Sequence, residues 1–173
     1  MKKLVTFSLA LILSFHLLNA QEVIEEVNME FDLPDKWNLE QKAGTFDDGL
    51  VQYFYRREPV KTPEGNDAYP AAIFILDKLK GRTLDDFVKG DVQYEKSGRM
   101  SAGEFSEIKQ VKVAGLEARV VEIKIDDSGY RLLASIYYFI NNDVIVKLIL
   151  NTIRDTNPAT SELETIITGL KMK

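Results

Sequence analysis

The chain has 173 residues, 45% hydrophobic and 28% charged, the balance of one ordinary globular domain rather than of a disordered or fibrous chain. Its formal charge is −5, with no cysteine and a single histidine. An acidic chain without basic blocks is a poor match for nucleic acid, whose phosphates repel it, and without cysteine there are neither disulfides nor thiolate nucleophiles.

Residues 1–20 read as a secretory signal peptide. Lys2 and Lys3 form a positive start, residues 4–18 are an apolar run of 15, and Ala20 is a small residue before a cut between Ala20 and Gln21. Leu18, at the third position before the cut, is larger than the preferred small residue. A membrane-spanning helix needs about 20 apolar residues, so no stable anchor is expected after cleavage. Without Lys2 and Lys3 the chain keeps 20 basic against 27 acidic side chains, a net charge of −7. His16 leaves with the same segment, so the exported domain is expected to have neither His nor Cys. Ser-His and Cys-His nucleophile pairs and the usual zinc sites are then excluded.

Residues 21–29 are short and acidic, a tether or a leading strand. From residue 30 a single domain is predicted to the end of the chain. Phe31, Leu33 and Trp37 flank a Pro34-Asp35 turn. Residues 49–58 alternate as a strand, residues 61–70 form a loop, and residues 71–76 form a buried strand. A helix begins at Thr83, which can cap it, with Asp85 and Asp86 in the first turn where the dipole favours anions. Leu84, Phe87, Val88 and Val92 supply its apolar stripe, and Gly90 weakens it. Residues 107–125 read as a hairpin about Ala114-Gly115, with Lys112 opposite Glu117. Asp126 and Asp127 then turn the chain into a second, strongly apolar hairpin. After Thr152, Asn157-Pro158 opens a helix whose buried face is Leu163, Ile166, Ile167 and Leu170, ending near Gly169.

The second hairpin decides the architecture. A two-residue loop within Asn141, Asn142 and Asp143 sends Leu132, Ala134, Ile136 and Tyr138 to one face with Ile145, Lys147 and Ile149. It sends Leu133, Ser135, Tyr137 and Phe139 to the other face with Val144, Val146, Leu148 and Leu150. A sheet with one wet side alternates more cleanly. Both faces are therefore expected to be covered, one by each helix. This gives an α+β fold, a mainly antiparallel β-sheet flanked by helices on both faces as a three-layer α/β/α sandwich. The competing reading leaves one apolar face open to a partner.

"FDLPDKW", "AAIFIL" leading into "TLDDFVKG", the "VAGLEARVVEIKI" hairpin, "YYFINNDVIVKLIL" and the closing "SELETIITGL" together resemble the PsbP-like group. That group holds photosystem II extrinsic subunits and many exported bacterial proteins of unassigned role, and the Ran-binding Mog proteins share its fold. The resemblance spans residues 28–173. It implies an antiparallel sheet between helices and a non-enzymatic binding or assembly role, and it transfers no functional residue.

The acid pairs Asp47-Asp48, Asp85-Asp86 and Asp126-Asp127 could supply oxygen ligands to Ca²⁺, but they also fit ordinary turns and a helix start, and no metal or cofactor is expected. Tyr53, Tyr55, Arg56 and Arg57 are the candidate rim for an acidic or sugar ligand, against cross-strand packing of β-prone aromatics. The functional expectation is an exported, periplasmic or extracellular, non-enzymatic binding or assembly module of the cell envelope. It would have a protein partner and no nucleic acid, and its oligomeric state is open. The alternatives are a small carrier with an apolar ligand between sheet and helix, and a hydrolase working with two carboxylates.

Overall fold

The computed structural model describes residues 20–98, 100–127, 130–154 and 159–173. The expected signal segment before Ala20, the Ser128-Gly129 end of one turn and the Asn157-Pro158 helix start lie outside the described residues.

Strand β1 (Ala20–Ile24) leads into a 3-10 turn, Glu25–Val27, closed by Asn28 in the left-handed region. Strand β2 (Met29–Leu33) returns antiparallel to β1 and turns Met29, Phe31 and Leu33 inward. The turn at Pro34 then feeds β3 (Trp37–Ala43) and β4 (Leu50–Arg57). Two short strands, β5 (Val60–Lys61) and β6 (Asp67–Ala68), fasten the loop expected over residues 61–70. Strand β7 (Ala71–Lys78) and helix α1 (Leu84–Ser97) follow. The Thr83 hydroxyl accepts from the Asp86 backbone N–H at 3.1 Å and donates to the Asp86 carboxylate at 2.7 Å, closing the first turn as its position implied.

The second half contains β8 (Glu104–Phe105), β9 (Lys109–Val113), β10 (Leu116–Asp127), β11 (Tyr130–Asn141) and β12 (Val144–Ile153). Helix α2 (Ala159–Gly169) and β13 (Lys171–Met172) end the chain. Both hairpins have the expected registers. Lys112 faces Glu117 around Ala114 and Gly115, at φ 51° and 80°. Asn141 pairs with Val144, so Asn142 and Asp143 form the loop at φ 49° and 60°. Such loops match the twist of the flanking strands and require positive φ at both positions, which Asn and Asp tolerate.

Eight strands make the main sheet in the order β3-β4-β7-β12-β11-β10, with β8 and β9 both on the outer edge of β10. Its ladders are antiparallel. A separate three-stranded sheet, β1-β2-β13, was not foreseen beyond its leading strand. The fold is thus α+β, mostly antiparallel sheet with two helices.

Alternation along β10–β12 divides the apolar residues between two clusters. Val121, Ile123, Ala134, Ile136, Tyr138 and Ile149 pack with Val88 and Val92 of α1. Phe139, Val144, Val146, Leu148 and Leu150 join Tyr53, Tyr55 and Phe74, together with Phe31 of the small sheet and Leu163 and Ile166 of α2. Fully burying each such large side chain contributes about 1.5–3 kcal/mol, which is how a chain without disulfides holds together. Helix α2 lies on β2 and β12. Towards β10 and β11 the cover thins, and Glu122, Leu133, Ser135 and Tyr137 are only half-buried.

Candidate cleft beside helix α2

Strand β4 alternates in the opposite sense to a ligand rim. Tyr53, Tyr55 and Arg57 turn inward and are buried, at 3%, 0% and 6% exposure, while Arg56 turns out to solvent. Each inward group has its own partner. The Tyr53 hydroxyl donates to Glu26 at 2.5 Å, and the Tyr55 hydroxyl donates to Glu22 at 3.3 Å. Arg57 reaches both oxygens of Glu162 on α2, at 2.5 and 3.0 Å, and Trp37 donates to the same carboxylate at 2.8 Å. Burial alone would raise the pKa of Glu162, but the hydrogen bonds from Arg57 and Trp37 outweigh it and hold the carboxyl below its ordinary 4.5. Burial, followed by the charge of Glu22, pushes the Tyr55 hydroxyl well above the usual tyrosine range.

Arg56 and Arg57 both border a cleft of about 300 Å³ together with Asn38, Glu40, Glu58 and Tyr69. Arg56 is 2.6 Å from Glu40, with its guanidinium 5.4 Å from the centre of the exposed Tyr69 ring. Its charge is already matched by Glu40, so an anionic ligand there would compete with an existing ion pair.

The acid pairs have ordinary local work. Thr45 donates to Asp48 at 2.7 Å in a turn, the Asp86 carboxylate accepts from the capping Thr83 hydroxyl, Asp85 pairs with Arg119 at 2.9 Å, and Asp126 pairs with Arg154. Among the described residues no group of three or more His, Cys, Asp or Glu side chains could hold a metal ion.

A second polar centre lies buried under α1. Lys147, on central strand β12, is 2.6 Å from Asp91 and 2.8 Å from Glu95 of the helix, and Tyr138 donates to Asp91 at 2.8 Å. Asp91 and Glu95 are one helical turn apart, so both carboxylates reach the same ammonium. Burial, followed by the Asp91 charge, moves the Tyr138 hydroxyl far above its ordinary range. Lys147 and Glu95 are buried and Asp91 is partly exposed, so the cluster's chemistry is that of a largely interior ion pair.

The thinly covered corner of the sheet forms an open cleft of about 180 Å³. Thr160, Leu163, Glu164 and Ile167 of α2 make one wall, and they stand at the i, i+3, i+4, i+7 spacing of a single helical face. Glu122 of β10, Leu133, Ser135 and Tyr137 of β11, and Leu150 and Thr152 of β12 make the floor. Glu122 and Ser135 are directly paired across the ladder, and so are Ser135 and Leu150. Burial first, then the charges of Glu122 and Glu164, raises the Tyr137 hydroxyl above its ordinary range, and all three side chains line this one cleft. The sequence placed Tyr137 and Ser135 correctly on one face of the hairpin. It did not single out Glu122 or Glu164, although the α2 spacing was readable.

No family model matches the chain, and no curated protein does. Among solved structures, its fold is similar to a protein of Bacteroides thetaiotaomicron VPI-5482, with a TM-score of 0.57 at 10% identity over 90% of this chain. The chain spans about half, 49%, of that protein's length. It is also similar to LpqN of Mycobacterium tuberculosis, a protein involved in cell envelope biogenesis, with a TM-score of 0.55, 13% identity and 88% of each chain covered. A third is PA94 of Pseudomonas aeruginosa, a protein of unknown function, with a TM-score of 0.50 and 12% identity over 82% of this chain and 88% of that one. At such identities the likeness is one of fold alone. Among the described residues no helix is long and apolar enough to cross a membrane.

Proposed function

We propose that the protein is an exported, non-enzymatic binding or assembly module of the cell envelope that engages a protein partner through the cleft beside α2. The observation that carries this reading is the half-open corner of the sheet, where Tyr137 and Leu133 are left partly uncovered between β10 and α2. Tyrosine at the centre of such a patch is a frequent interface anchor. The signal-like start of the chain supports export, and the fold similar to that of an envelope biogenesis protein of Mycobacterium tuberculosis is in keeping with it. The proposal takes the architecture as a three-layer sandwich of PsbP-like form, a reading supported by the packing of α1 residues with one set of sheet residues and α2 residues with the alternate set.

The second reading is a small carrier with an apolar ligand between sheet and helix. Pockets for drug-sized ligands run to about 300–1,000 Å³, and this cleft has about 180 Å³, a size that favours one inserted side chain over a lipid. A hydrolase needs a carboxyl held protonated near neutral pH. The carboxyls with displaced acidity among the described residues, Glu26, Asp77 and Glu162, are each lowered by hydrogen bonds from Tyr, Lys, Arg or Trp neighbours in spite of burial.

A photo-crosslinking residue at Tyr137, with the exposed Tyr94 of α1 as control, tests the reading in the native envelope. A discrete crosslinked protein from position 137 and none from 94 is expected. Stoichiometric lipid in the cleft, or identical products from both positions, would overturn it. Sequencing the processed protein from its N-terminus tests export, with Gln21 expected first and an intact 1–20 segment refuting the signal reading.

A further inference from the structure

We propose that the cleft beside α2 takes a basic side chain, arginine or lysine, from the protein partner. Its aliphatic stem would lie along Leu163 and Ile167, and its charged head would sit between Glu122, Glu164 and the Tyr137 hydroxyl. This rests on the binding-module reading and specifies its chemistry.

Three observations converge. Among the described residues no ion pair reaches the carboxylate of Glu122 or of Glu164, the two acids that border this cleft. Both carboxylates border the same cleft as the Tyr137 hydroxyl, Glu122 half-buried on the floor and Glu164 exposed on the α2 wall. The walls are mixed in the way that a long basic side chain requires, because its methylene stem covers apolar surface while its head seeks oxygens. Leu133, Leu163 and Ile167 offer the first, and Glu122, Glu164 and Tyr137 offer the second. A guanidinium head can donate to several acceptors at once, which suits two carboxylates and a phenol. The net charge of −7 that remains without Lys2 and Lys3, 20 basic against 27 acidic side chains, would draw a basic partner in.

The test is an NMR titration of the protein as processed by its host, with four probes: the blocked amino acids N-acetyl-arginine, N-acetyl-norleucine and N-acetyl-glutamate methylamides, and free cadaverine. The arginine probe should shift the amides of β11 and α2 saturably and bind about tenfold tighter than the norleucine probe, with the glutamate probe weakest. In Glu122→Gln/Glu164→Gln the arginine advantage should vanish while norleucine binding stays, and unchanged Trp37 fluorescence would report an intact fold. Equal binding of arginine and norleucine in the parent protein would overturn the charged head and leave the partner reading standing. Cadaverine binding tighter than the arginine probe would overturn the side-chain source in favour of a free amine. No shift in the cleft from any probe would overturn the inference outright, and the Tyr137 crosslink then decides the wider reading by itself.

Discussion

Replacing Lys147 by Met keeps most of the side-chain volume in an unbranched chain one atom shorter, and removes the charge with its N–H donors. In the folded protein Lys147 is 7% exposed, Glu95 2% and Asp91 17%. The ammonium is the one cation shown bonding to either acid among the described residues. The cluster then passes from one positive and two negative charges to two uncompensated carboxylates inside the protein. Breaking a buried pair from one side costs about 3–5 kcal/mol. The far oxygen of Glu95 is already buried without a hydrogen-bond partner among the described residues, so it has little left to lean on. With a urea dependence of about 2 kcal/mol per molar, Lys147→Met should lower the midpoint of unfolding by about 2 M. Lys147→Met/Glu95→Met should recover part of that loss, because it removes the more deeply buried of the two carboxylates and leaves Asp91 with the Tyr138 hydroxyl as its partner. Equilibrium urea unfolding followed by Trp37 fluorescence reads both. A midpoint change of less than about 0.5 M for Lys147→Met, or a double variant no better than the single one, would refute the reasoning.

Glu162→Gln should weaken the hold of α2 on the β3–β4 end of the sheet by about 1.5–3 kcal/mol, the range for hydrogen bonds to charged groups. Because the folded carboxyl titrates below its ordinary 4.5, its contribution is complete above that value. It is lost as pH falls through the lower folded value. Stability measured from pH 7 down to 3 should therefore fall less steeply in Glu162→Gln than in the parent, and parallel curves would contradict the assignment. Gly90 lies on the exposed side of α1 with open space around it, so Gly90→Ala should raise stability by about 1 kcal/mol. At Gly44, φ is 78° and a Cβ would sit 2.1 Å from the Leu50 carbonyl oxygen. Gly44→Ala should destabilise markedly, and thermal unfolding of the two variants should move in opposite directions.

The hairpins, the cap and the faces of the central strands were legible because each follows from local chemistry. Asn142 and Asp143 accept positive φ, Thr83 reaches a backbone N–H three residues on, and period-two alternation assigns each residue of β11 and β12 to a face. The small sheet was not legible, since β13 is two residues long and its partner β2 lies almost a chain length away. Tyr53, Tyr55 and Arg57 show the limit of residue-type reasoning. Their chemistry suits an interface, but β4 alternation turns them to the side where Glu22, Glu26 and Glu162 wait, and only the tertiary fold supplies those acids. The cleft was half legible. The α2 stripe Thr160, Leu163, Glu164, Ile167 follows from spacing, but its position opposite Tyr137 depends on how far α2 extends over the sheet.

The pairing of β13 with β2 bears on the order in which the molecule assembles. Met172 pairs with Met29 and Lys171 with Glu30, and the Asn28 side chain donates to the carbonyl of Lys173, 145 residues away. Hairpins such as β11–β12 close over a few residues and can form early, whereas contacts of such separation are slow to find. Strand β2 can gain its last neighbour only when residues 171 and 172 are present. During vectorial synthesis or translocation the hairpins could stand ready while the first strands wait for the last. The ends of this domain would then be completed together, as its final folding event.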